Sequence, residues 1–344
     1  MSAVMELGID SFASVIAGSR PAVPAVQRVA HLLEESEVAD RAGLDVFGLG
    51  EHHRQEFIES APAVLLGAIA ARTRSIRLQS SVTVLGAADP VRVFQDYATI
   101  DLIADGRAEI VAGRGSSTEA YPLFGYDIAD RDGLFYEKLN LLLKLREESH
   151  PHWQGRFRAP LHGYGIYPRP VQPSLPVWLG VGGTPASFAR AGHLGIPLMV
   201  AIIGGPFARF RTLVDLYRAE STISGVPAGE QKVGVHAIGF VADTDKAARD
   251  AFYPGWSDLW SQLGPERGWS APSREKFDAL CDGDGPYIIG NPHTVASKLC
   301  RLSAALGGVN RVNFQMSSAA GDHEAMLNSI ALLGEKVKPL LRVS

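Results

Sequence analysis

The sequence contains little cysteine, few lysines and no excess of charge of one sign. Only two of its 344 residues are cysteines, Cys281 and Cys300, so a disulfide framework is excluded and a reducing, cytoplasmic location is expected. The 33 basic and 37 acidic residues give a formal net charge of −4, which argues against a nucleic-acid-binding or polybasic membrane surface. The segment MSAVMELGID lacks the basic start and apolar core of a signal peptide.

A membrane span and several catalytic motifs are also missing. The uncharged stretch 191–208 is interrupted repeatedly by glycine and proline, which is not typical of a bilayer helix. There is no H-E-x-x-H zinc motif, no G-x-x-x-x-G-K-[ST] phosphate loop and no G-x-S-x-G nucleophile elbow. None of the eight lysines ends a predicted strand, which argues against Schiff-base chemistry. No metal site is expected.

The sequence does contain a regular alternation of short apolar strands and helices. The strands are nearly continuous apolar runs, as expected for parallel strands covered on both faces. Right-handed crossovers give either a (β/α)8 barrel or a doubly wound sheet, and eight units favour a single (β/α)8 TIM barrel domain over residues 1–344. The predicted strands are 4–10, 45–49, 76–85, 107–112, 176–181, 196–203, 232–241 and 309–315. The predicted helices are 28–42, 61–72, 90–104, 131–148, 185–192, 206–224, 243–263, one from 292 and one ending at 340.

Three segments depart from the simple repeat. Residues 153–170 are aromatic and rich in glycine, and we interpret them as an inserted hairpin. Residues 264–287, within a broader segment 253–287, are polar and predict either a lid or a solvated loop with a short helix capped by Ser273. The helix at 61–71 is apolar on every side, which indicates a homodimer interface or cover by a loop of the same chain.

Candidate site residues follow the predicted strands, where barrel enzymes place their active sites. Glu51, His52 and His53 suggest either proton transfer near neutral pH or a structural histidine bonded to a glutamate. The Gly113–Ser117 turn offers a guanidinium and hydroxyls to a phosphate, or is a tight turn with a surface arginine. The glycine-rich turn 180–185 leads into the N-terminus of a helix. It predicts either an anion-binding site or an ordinary strand-to-helix connection. The residues of the turn 203–206 are small and apolar. They suit contact with a flat ligand ring or ordinary packing within the protein.

In order and spacing, these motifs resemble the bacterial luciferase-like flavin-dependent monooxygenase family. The resemblance runs from residue 7 to about residue 340. It is carried by Glu51-His52-His53, by SSVTVLGAADPVR at 80–92, by Asp105-Gly106-Arg107 leading to Gly113-Arg114-Gly115, and by Val181-Gly182-Gly183-Thr184. The resemblance implies a (β/α)8 barrel that binds reduced FMN at the carboxyl ends of its strands.

The resemblance also implies roles for individual residues. His52 corresponds to the histidine used for proton transfer near the reacting flavin, and Ser81–Val82 to a non-proline cis peptide beside the flavin ring. Arg114 would meet the phosphate or the ribityl chain, and the 182–184 turn would bind the phosphate. The residues assigned to the cofactor are Glu51, Ser81, Val82, Arg114, Gly115, Ser116, Gly182, Gly183, Thr184, Ala201, Gly204 and Gly205.

The chain departs from luciferase at two positions. Gly113 stands where luciferase has a reactive cysteine, and Asp89 stands where luciferase has a histidine before the Pro-Val-Arg run. Both departures argue against light emission and against an aldehyde substrate. His193 and His236 are predicted to be core or surface residues rather than ligands.

The resulting hypothesis is the oxygenase component of a two-component monooxygenase. A separate flavin reductase would supply reduced FMN, and the enzyme would use O2 to oxidise a small organic substrate. Three alternatives stay open. They are a deazaflavin-dependent reductase or dehydrogenase of the same fold, a non-catalytic flavin-binding protein, and an unrelated barrel enzyme acting on a sugar phosphate.

Overall fold

The computed structural model describes residues 5–16, 18, 21, 23–319 and 321–341, and it forms a closed parallel barrel. Val4, the first residue of the first predicted strand, lies outside the described residues. The strands are β1 (Glu6–Ser11), β2 (Val46–Leu49), β3 (Arg77–Ser80), β4 (Thr83–Val84), β5 (Ala108–Gly113), β6 (His152–Trp153), β7 (Leu161–His162), β8 (Val177–Val181), β9 (Leu198–Ile202), β10 (Val233–Val241), β11 (Ile288–Gly290) and β12 (Arg311–Gln315).

Eight of these strands form the barrel wall in the order β1-β2-β3-β5-β8-β9-β10-β12, and β12 pairs with β1 to close it. The predicted barrel is therefore confirmed, and each of its eight predicted strands overlaps one strand of the wall. The predicted strand 76–85 is interrupted, because β3 ends at Ser80 and the short β4 pairs separately with β5. The three-residue β11, which the sequence did not predict, extends the sheet beside the end of β10.

Helices alternate with the strands and cover the outer face of the barrel. They are α1 (Ala25–Arg41), α2 (Pro62–Ala70), α3 (Pro90–Ala104), α4 (Ala120–Leu123), α5 (Arg131–Glu147), α6 (Pro185–His193), α7 (Arg211–Ile223), α8 (Asp245–Arg267), α9 (Arg274–Cys281), α10 (Pro292–Ala305), α11 (His323–Leu332) and α12 (Lys338–Leu340). Proline at the first position of α2, α3, α6 and α10 is compatible with a helix start, where no backbone donor is needed. Asp89 accepts hydrogen bonds from Val91 N and Arg92 N and so caps α3.

The predicted hairpin and lid segments both contain regular structure. β6 and β7 pair antiparallel within the region predicted as a hairpin. The helix predicted to end at residue 263 continues to Arg267 despite Pro254 and Pro265, and Gly268, with φ +66°, terminates it. Ser273 caps α9 as predicted, since its hydroxyl accepts from Lys276 N. In the part of the chain that the structure describes, no helix has the length and apolarity needed to span a bilayer.

The inside of the barrel is polar, whereas the layer between strands and helices is apolar. Asp10, Gln79, Glu109, Arg311 and Asn313 are all buried and hydrogen-bonded to one another within the barrel. Their positions alternate with apolar residues that face the helices, such as Leu7, Ile9 and Leu78. The barrel interior therefore holds a charged network, and the larger apolar core lies outside it.

Candidate active site

The carboxyl ends of the barrel strands bring the predicted site residues to one mouth. Val82 packs against Gly113 and Gly180 at this mouth. A Cβ added at Gly113 would lie 2.5 Å from a Val82 methyl group, and one added at Gly180 would lie 2.8 Å from the other. The neighbouring strands β5 and β8 thus need glycine at these positions to accommodate the Val82 side chain. This packing gives a physical reason for Gly113 where luciferase has cysteine. The peptide bond between Ser81 and Val82 is cis.

Glu51 connects the end of β2 to the segment after the cis bond. One carboxylate oxygen accepts a hydrogen bond from Val84 N at 2.8 Å, and the other lies 3.1 Å from His53 Nε2. Both Glu51 and His53 have side chains that are at most 10% exposed. Glu51 therefore fixes the backbone near Val82, and the His53 side chain points to Glu51.

His52 forms a separate pair with a carboxylate that the sequence did not single out. Its Nδ1 lies 2.5 Å from Glu59 Oε1, and the Glu59 side chain is fully buried. Burial raises the pKa of the Glu59 carboxyl, and the hydrogen bond from His52 opposes that effect. Because Nδ1 is engaged by Glu59, Nε2 is the ring atom that remains for proton transfer. No motif connects His52 with Glu59, since the contact is made by the fold of the 51–61 loop.

Arg114 joins the end of β5 to the first turn of α6. Its guanidinium lies 2.7 Å from Asp132 and 3.5 Å from the Ser187 hydroxyl. Gly115 adopts φ +71°, and its carbonyl accepts a hydrogen bond from Arg131. Ser116 is exposed. Arg114 and Ser116 therefore lie at the surface of the mouth, toward the amino end of α6.

A cavity of about 360 Å³ opens between the ends of β8 and β9. A Cβ at Gly182 or Gly204 would meet nothing within 4 Å, so backbone in this cavity is open to a ligand. Thr184 is the N-cap residue of α6 but its side chain makes no capping hydrogen bond, which leaves the hydroxyl available. The predicted residues that line the cavity are Gly182, Gly183, Ala201, Gly204 and Gly205.

Arg209 also lines this cavity and was not predicted from the sequence. Its side chain is exposed and makes no ion pair or hydrogen bond with the residues that the structure describes. The one sequence signal is its position in the short helical turn that follows Gly205-Pro206. A cationic, unpaired guanidinium beside open glycine backbone is suited to an anion.

Comparison with known proteins agrees with this arrangement. The family model of luciferase-like monooxygenases matches residues 5–309. The chain belongs to the luciferase-like monooxygenase family. The family resemblance that the motifs indicated is therefore confirmed, and the protein is an enzyme of the oxidoreductase class.

Individual proteins of known name are similar to this chain over most of its length. The N-acetyl-S-alkylcysteine monooxygenase of Bacillus subtilis is 30% identical over 296 residues, which are 81% of this chain and 84% of that protein. The oxygenating constituent of 3,6-diketocamphane monooxygenase from Pseudomonas putida, solved in complex with FMN, superposes with a TM-score of 0.79 at 20% identity and covers 98% of each chain. The coenzyme F420-dependent tetrahydromethanopterin reductase from Methanopyrus kandleri has a TM-score of 0.74 at 18% identity, covering 98% and 99%.

Proposed function

We propose that this luciferase-like enzyme is the oxygenase component of a two-component monooxygenase. It would use reduced FMN, supplied by a separate flavin reductase, and O2 to oxidise a small organic substrate in the cytoplasm. The observation that carries the proposal is the cavity beside Gly182, Gly204 and Arg209, which opens at the same mouth as the His52–Glu59 pair. The relatives named as monooxygenases and the neighbour solved with FMN support the choice of chemistry.

The residues of this mouth fit a flavin mononucleotide. The open backbone at Gly182 and Gly204, the Thr184 hydroxyl and the unpaired Arg209 would hold the phosphate. Val82 and Ala201 would contact the flat ring, because both lie at the mouth and carry small apolar side chains. When bound, reduced FMN supplies the electrons that activate O2.

His52 would perform the proton transfers that the oxygen chemistry requires. Glu59 accepts from Nδ1 and so directs Nε2 toward the reaction, where it would take up or release one proton. The buried Glu59 side chain also holds the imidazole in one orientation. The surrounding rings of Phe12 and Phe57, at 4.7 and 4.6 Å from the imidazole, would exclude water from this proton.

An anaerobic titration tests this cofactor assignment. Purified protein is titrated with reduced FMN, oxidised FMN and a deazaflavin, and an oxygen pulse is then followed by absorbance. We expect reduced FMN to bind most tightly, and Arg209→Ala to weaken its binding roughly 10-fold through loss of a charge-assisted contact with phosphate. The matched control is Arg211→Ala, because Arg211 is similarly exposed but is paired with Asp215 at 2.8 Å. It should bind FMN like the wild type.

The three ligands separate the competing functions. Binding of the deazaflavin alone would replace the monooxygenase by a reductase or dehydrogenase of the same fold. Tight FMN binding with no oxygenated product in a substrate screen would leave a non-catalytic flavin-binding protein. Absence of binding by all three would contradict the flavin-type function.

We also propose that residues 253–287 act as a lid. In the structure this segment contacts the mouth, since a cavity of only about 40 Å³ remains between Phe12 and Phe57 on one side and Gly255 and Leu259 of α8 on the other. Arg54 links the lid to the loop after β2, because its guanidinium donates to both carboxylate oxygens of Glu266, at 2.8 and 3.0 Å. A substrate would therefore need α8 to move, and the Arg54–Glu266 contact would favour the closed form.

Glu266→Gln is expected to raise the rate at which O2 reoxidises bound reduced FMN, by roughly threefold to 10-fold, because an open lid admits solvent. Raising the salt concentration should also increase the reoxidation rate of the wild type, because salt screens the exposed Arg54–Glu266 ion pair. Lys246→Ala is the control, because the Lys246–Asp250 pair is exposed and lies at the far end of α8. Equal reoxidation rates in Glu266→Gln and the wild type would contradict a latch at this contact.

The apolar surface of α2 and α3 supports the predicted homodimer. Val64 is 72% exposed, and Leu102 and Ile103 are about half exposed, so no described loop of the same chain covers them. We propose that a second copy of the chain covers this surface. Light scattering should then give twice the chain mass of 36.9 kDa, and Val64→Asp should give the monomer mass. Val26→Asp, at an 85% exposed valine of α1, should stay dimeric; a monomeric wild type would contradict the proposal.

A further inference from the structure

A second histidine–carboxylate pair lies inside the barrel below the mouth. His236 Nδ1, on β10, lies 2.6 Å from Asp10 Oδ2, on β1. Asp10 is fully buried, and its other oxygen accepts a hydrogen bond from Asn313 at 3.1 Å. A Cβ at Gly48 would lie only 1.9 Å from Asp10 Oδ1, so the chain uses glycine at this position to make room for the carboxylate. The barrel is therefore built to hold Asp10 where it orients His236.

This pair has the same form as the His52–Glu59 pair. In each, Nδ1 faces a fully buried carboxylate, and in each the imidazole side chain is 11% exposed. The two imidazoles contact the same ring, since the Phe12 centroid lies 4.7 Å from that of His52 and 5.8 Å from that of His236. His236 thus lies near His52 and contacts the same ring. Its burial agrees with the predicted core position, whereas its pairing with Asp10 was not predicted.

The free nitrogen of His236 argues against a purely structural role. Buried histidines that only support the fold normally have both ring nitrogens hydrogen-bonded. His236 Nε2 makes no hydrogen bond with any described residue. The atom is not fully buried either, so it reaches open space. Nδ1 is directed to Asp10, which leaves Nε2 as the atom that accepts or donates a proton.

Asp10 is the titratable group that faces the imidazole directly. The residues opposite His236 on the two neighbouring strands are Asn313 on β12 and Ala201 on β9, and neither carries a charge. Arg311 and Glu109, which are also buried inside the barrel, pair with each other at 2.5 Å and are separated from Asp10 by Gln79. The His52–Glu59 pair contacts the same Phe12 ring, and Arg28, bonded to Ser11 beside Asp10, is paired with Glu35. Asp10 is therefore the carboxylate that orients the His236 ring.

We propose that His236, oriented by Asp10, is a second proton-transfer residue of this active site. The proposal rests on the proposed flavin-dependent function, whose chemistry needs two hydrogens to be moved. In FMNH2 + O2 + S → FMN + SO + H2O, one oxygen atom goes to the substrate S and the other leaves as water with both hydrogens of the reduced cofactor. Two imidazoles that both contact Phe12, and whose Nε2 atoms make no hydrogen bond with the described residues, match that count.

The first test needs no turnover. Protein with 15N-labelled histidine is titrated by NMR over a pH range of about 5 to 9, and His236→Gln assigns the signals. We expect the His236 ring to carry its neutral-form proton on Nδ1, to titrate at Nε2, and to shift when oxidised FMN is added. A ring that neither titrates nor responds to FMN would overturn the proposal. If the variant fails to fold, the through-space contact of the His236 ring with Phe12 assigns its signals in the wild-type protein.

The second test separates His236 from His52 by the pH profile of reoxidation. Without substrate the two hydrogens leave on hydrogen peroxide, so reoxidation of bound reduced FMN by O2 can be followed by stopped flow without knowing the substrate. We expect His236→Gln to bind FMN with an affinity within about threefold of the wild type. Its bound reduced FMN should react with O2 about 10- to 100-fold more slowly, the size typical of general acid–base effects. The pH profile of this rate should show one ionisation instead of two. His52→Gln should lose the other ionisation, and His162→Gln, at an exposed histidine of β7, should lose neither.

The outcomes distinguish the two proposals. If FMN binds and His236→Gln reacts with the wild-type rate and profile, the role of His236 is overturned while the flavin function stands. If no flavin binds to the wild type, both fall together. A lower thermal stability of His236→Gln with an unchanged pH profile would assign the pair to folding alone and would also overturn the proposal.

Discussion

Replacing His52 with alanine is expected to lower turnover on the order of 100-fold or more while leaving the affinity for FMN within about threefold. The reason is geometric. His52 Nδ1 is held by the buried Glu59, and the imidazole lies against Phe12 and Phe57 rather than in the cavity beside Gly182 and Arg209. Losing His52 should therefore remove a proton-transfer group without removing a phosphate contact. The measurements are FMN affinity by fluorescence and product formation with a coupled flavin reductase.

Two further variants separate proton transfer from packing. His52→Gln retains an amide that can hydrogen-bond Glu59 but cannot titrate, so it should be as inactive as His52→Ala. Glu59→Gln keeps the shape of the pair but replaces the carboxylate that directs Nδ1 by an amide, which can also donate, and it should cost roughly 10-fold in turnover. Full activity of His52→Gln would remove His52 from the mechanism and leave it as a packing residue.

The architecture of the mouth was largely predictable from local sequence. A strand that ends in Glu51-His52-His53, and a strand-to-helix turn at 182–184, must meet at one end of a parallel barrel, and the structure brings them there. The cis bond at Ser81–Val82 followed from resemblance to a family, since no propensity of serine or valine indicates it. What these predictions share is that each rests on a contiguous motif.

The partners of the catalytic candidates could not be predicted in the same way. Glu59 meets His52 through the path of a loop, and Asp10 meets His236 across the barrel, 226 residues apart in the chain. Their pairing depends on strand register and on glycine at position 48, which single-sequence patterns do not specify. Arg209 was missed for a related reason. Its role depends on the absence of a counter-charge, which is a property of the folded surface.

The extension of α8 shows where local rules fail. Gly264-Pro265 predicted a helix end, because proline removes a backbone donor and disfavours the preceding turn. The helix nevertheless continues to Arg267, and Trp260 packs against Trp269 just beyond it with ring centroids 4.3 Å apart. Tertiary packing of this aromatic cluster outweighs the local preference. The segment 264–287, predicted as either a lid or a solvated loop with a short helix, thus contains the end of α8 and the whole of α9.

Arg311→Met is expected to destabilise the barrel by about 3 kcal/mol, the lower end of the cost of breaking a buried ion pair, because Arg77 still contacts Glu109. Arg311 is 2% exposed. Its guanidinium lies 2.5 Å from Glu109 and 2.7 Å from Glu6, and stacks 4.5 Å above the ring of Trp178. Methionine replaces the volume but not the charge, so the buried Glu109 carboxylate loses its strongest partner. Urea unfolding of the wild type and the variant measures the difference in free energy.

The pH dependence gives an independent check of this ion pair. Burial alone would raise the pKa of Glu109, but Arg311 and Arg77 outweigh burial and hold it below the ordinary value of 4.5. A carboxylate with a lowered folded-state pKa contributes stability that is fully present above 4.5 and is lost as the pH falls through its folded-state pKa. Arg311→Met lacks this contribution. The gap in unfolding free energy between wild type and variant should therefore be widest near neutral pH and should narrow in acid.

Two companion variants decide whether charge or packing causes the loss. Adding Glu109→Gln to Arg311→Met removes the buried charge that only the partly exposed Arg77 would still neutralise, so the double variant should recover at least about half of the lost stability. Lys246→Ala disrupts an ion pair whose lysine is 86% exposed and should change stability by less than about 0.5 kcal/mol. If the double variant is no more stable than Arg311→Met, the loss comes from the packing of the arginine against Trp178, and the charged interior is not what holds these strands together.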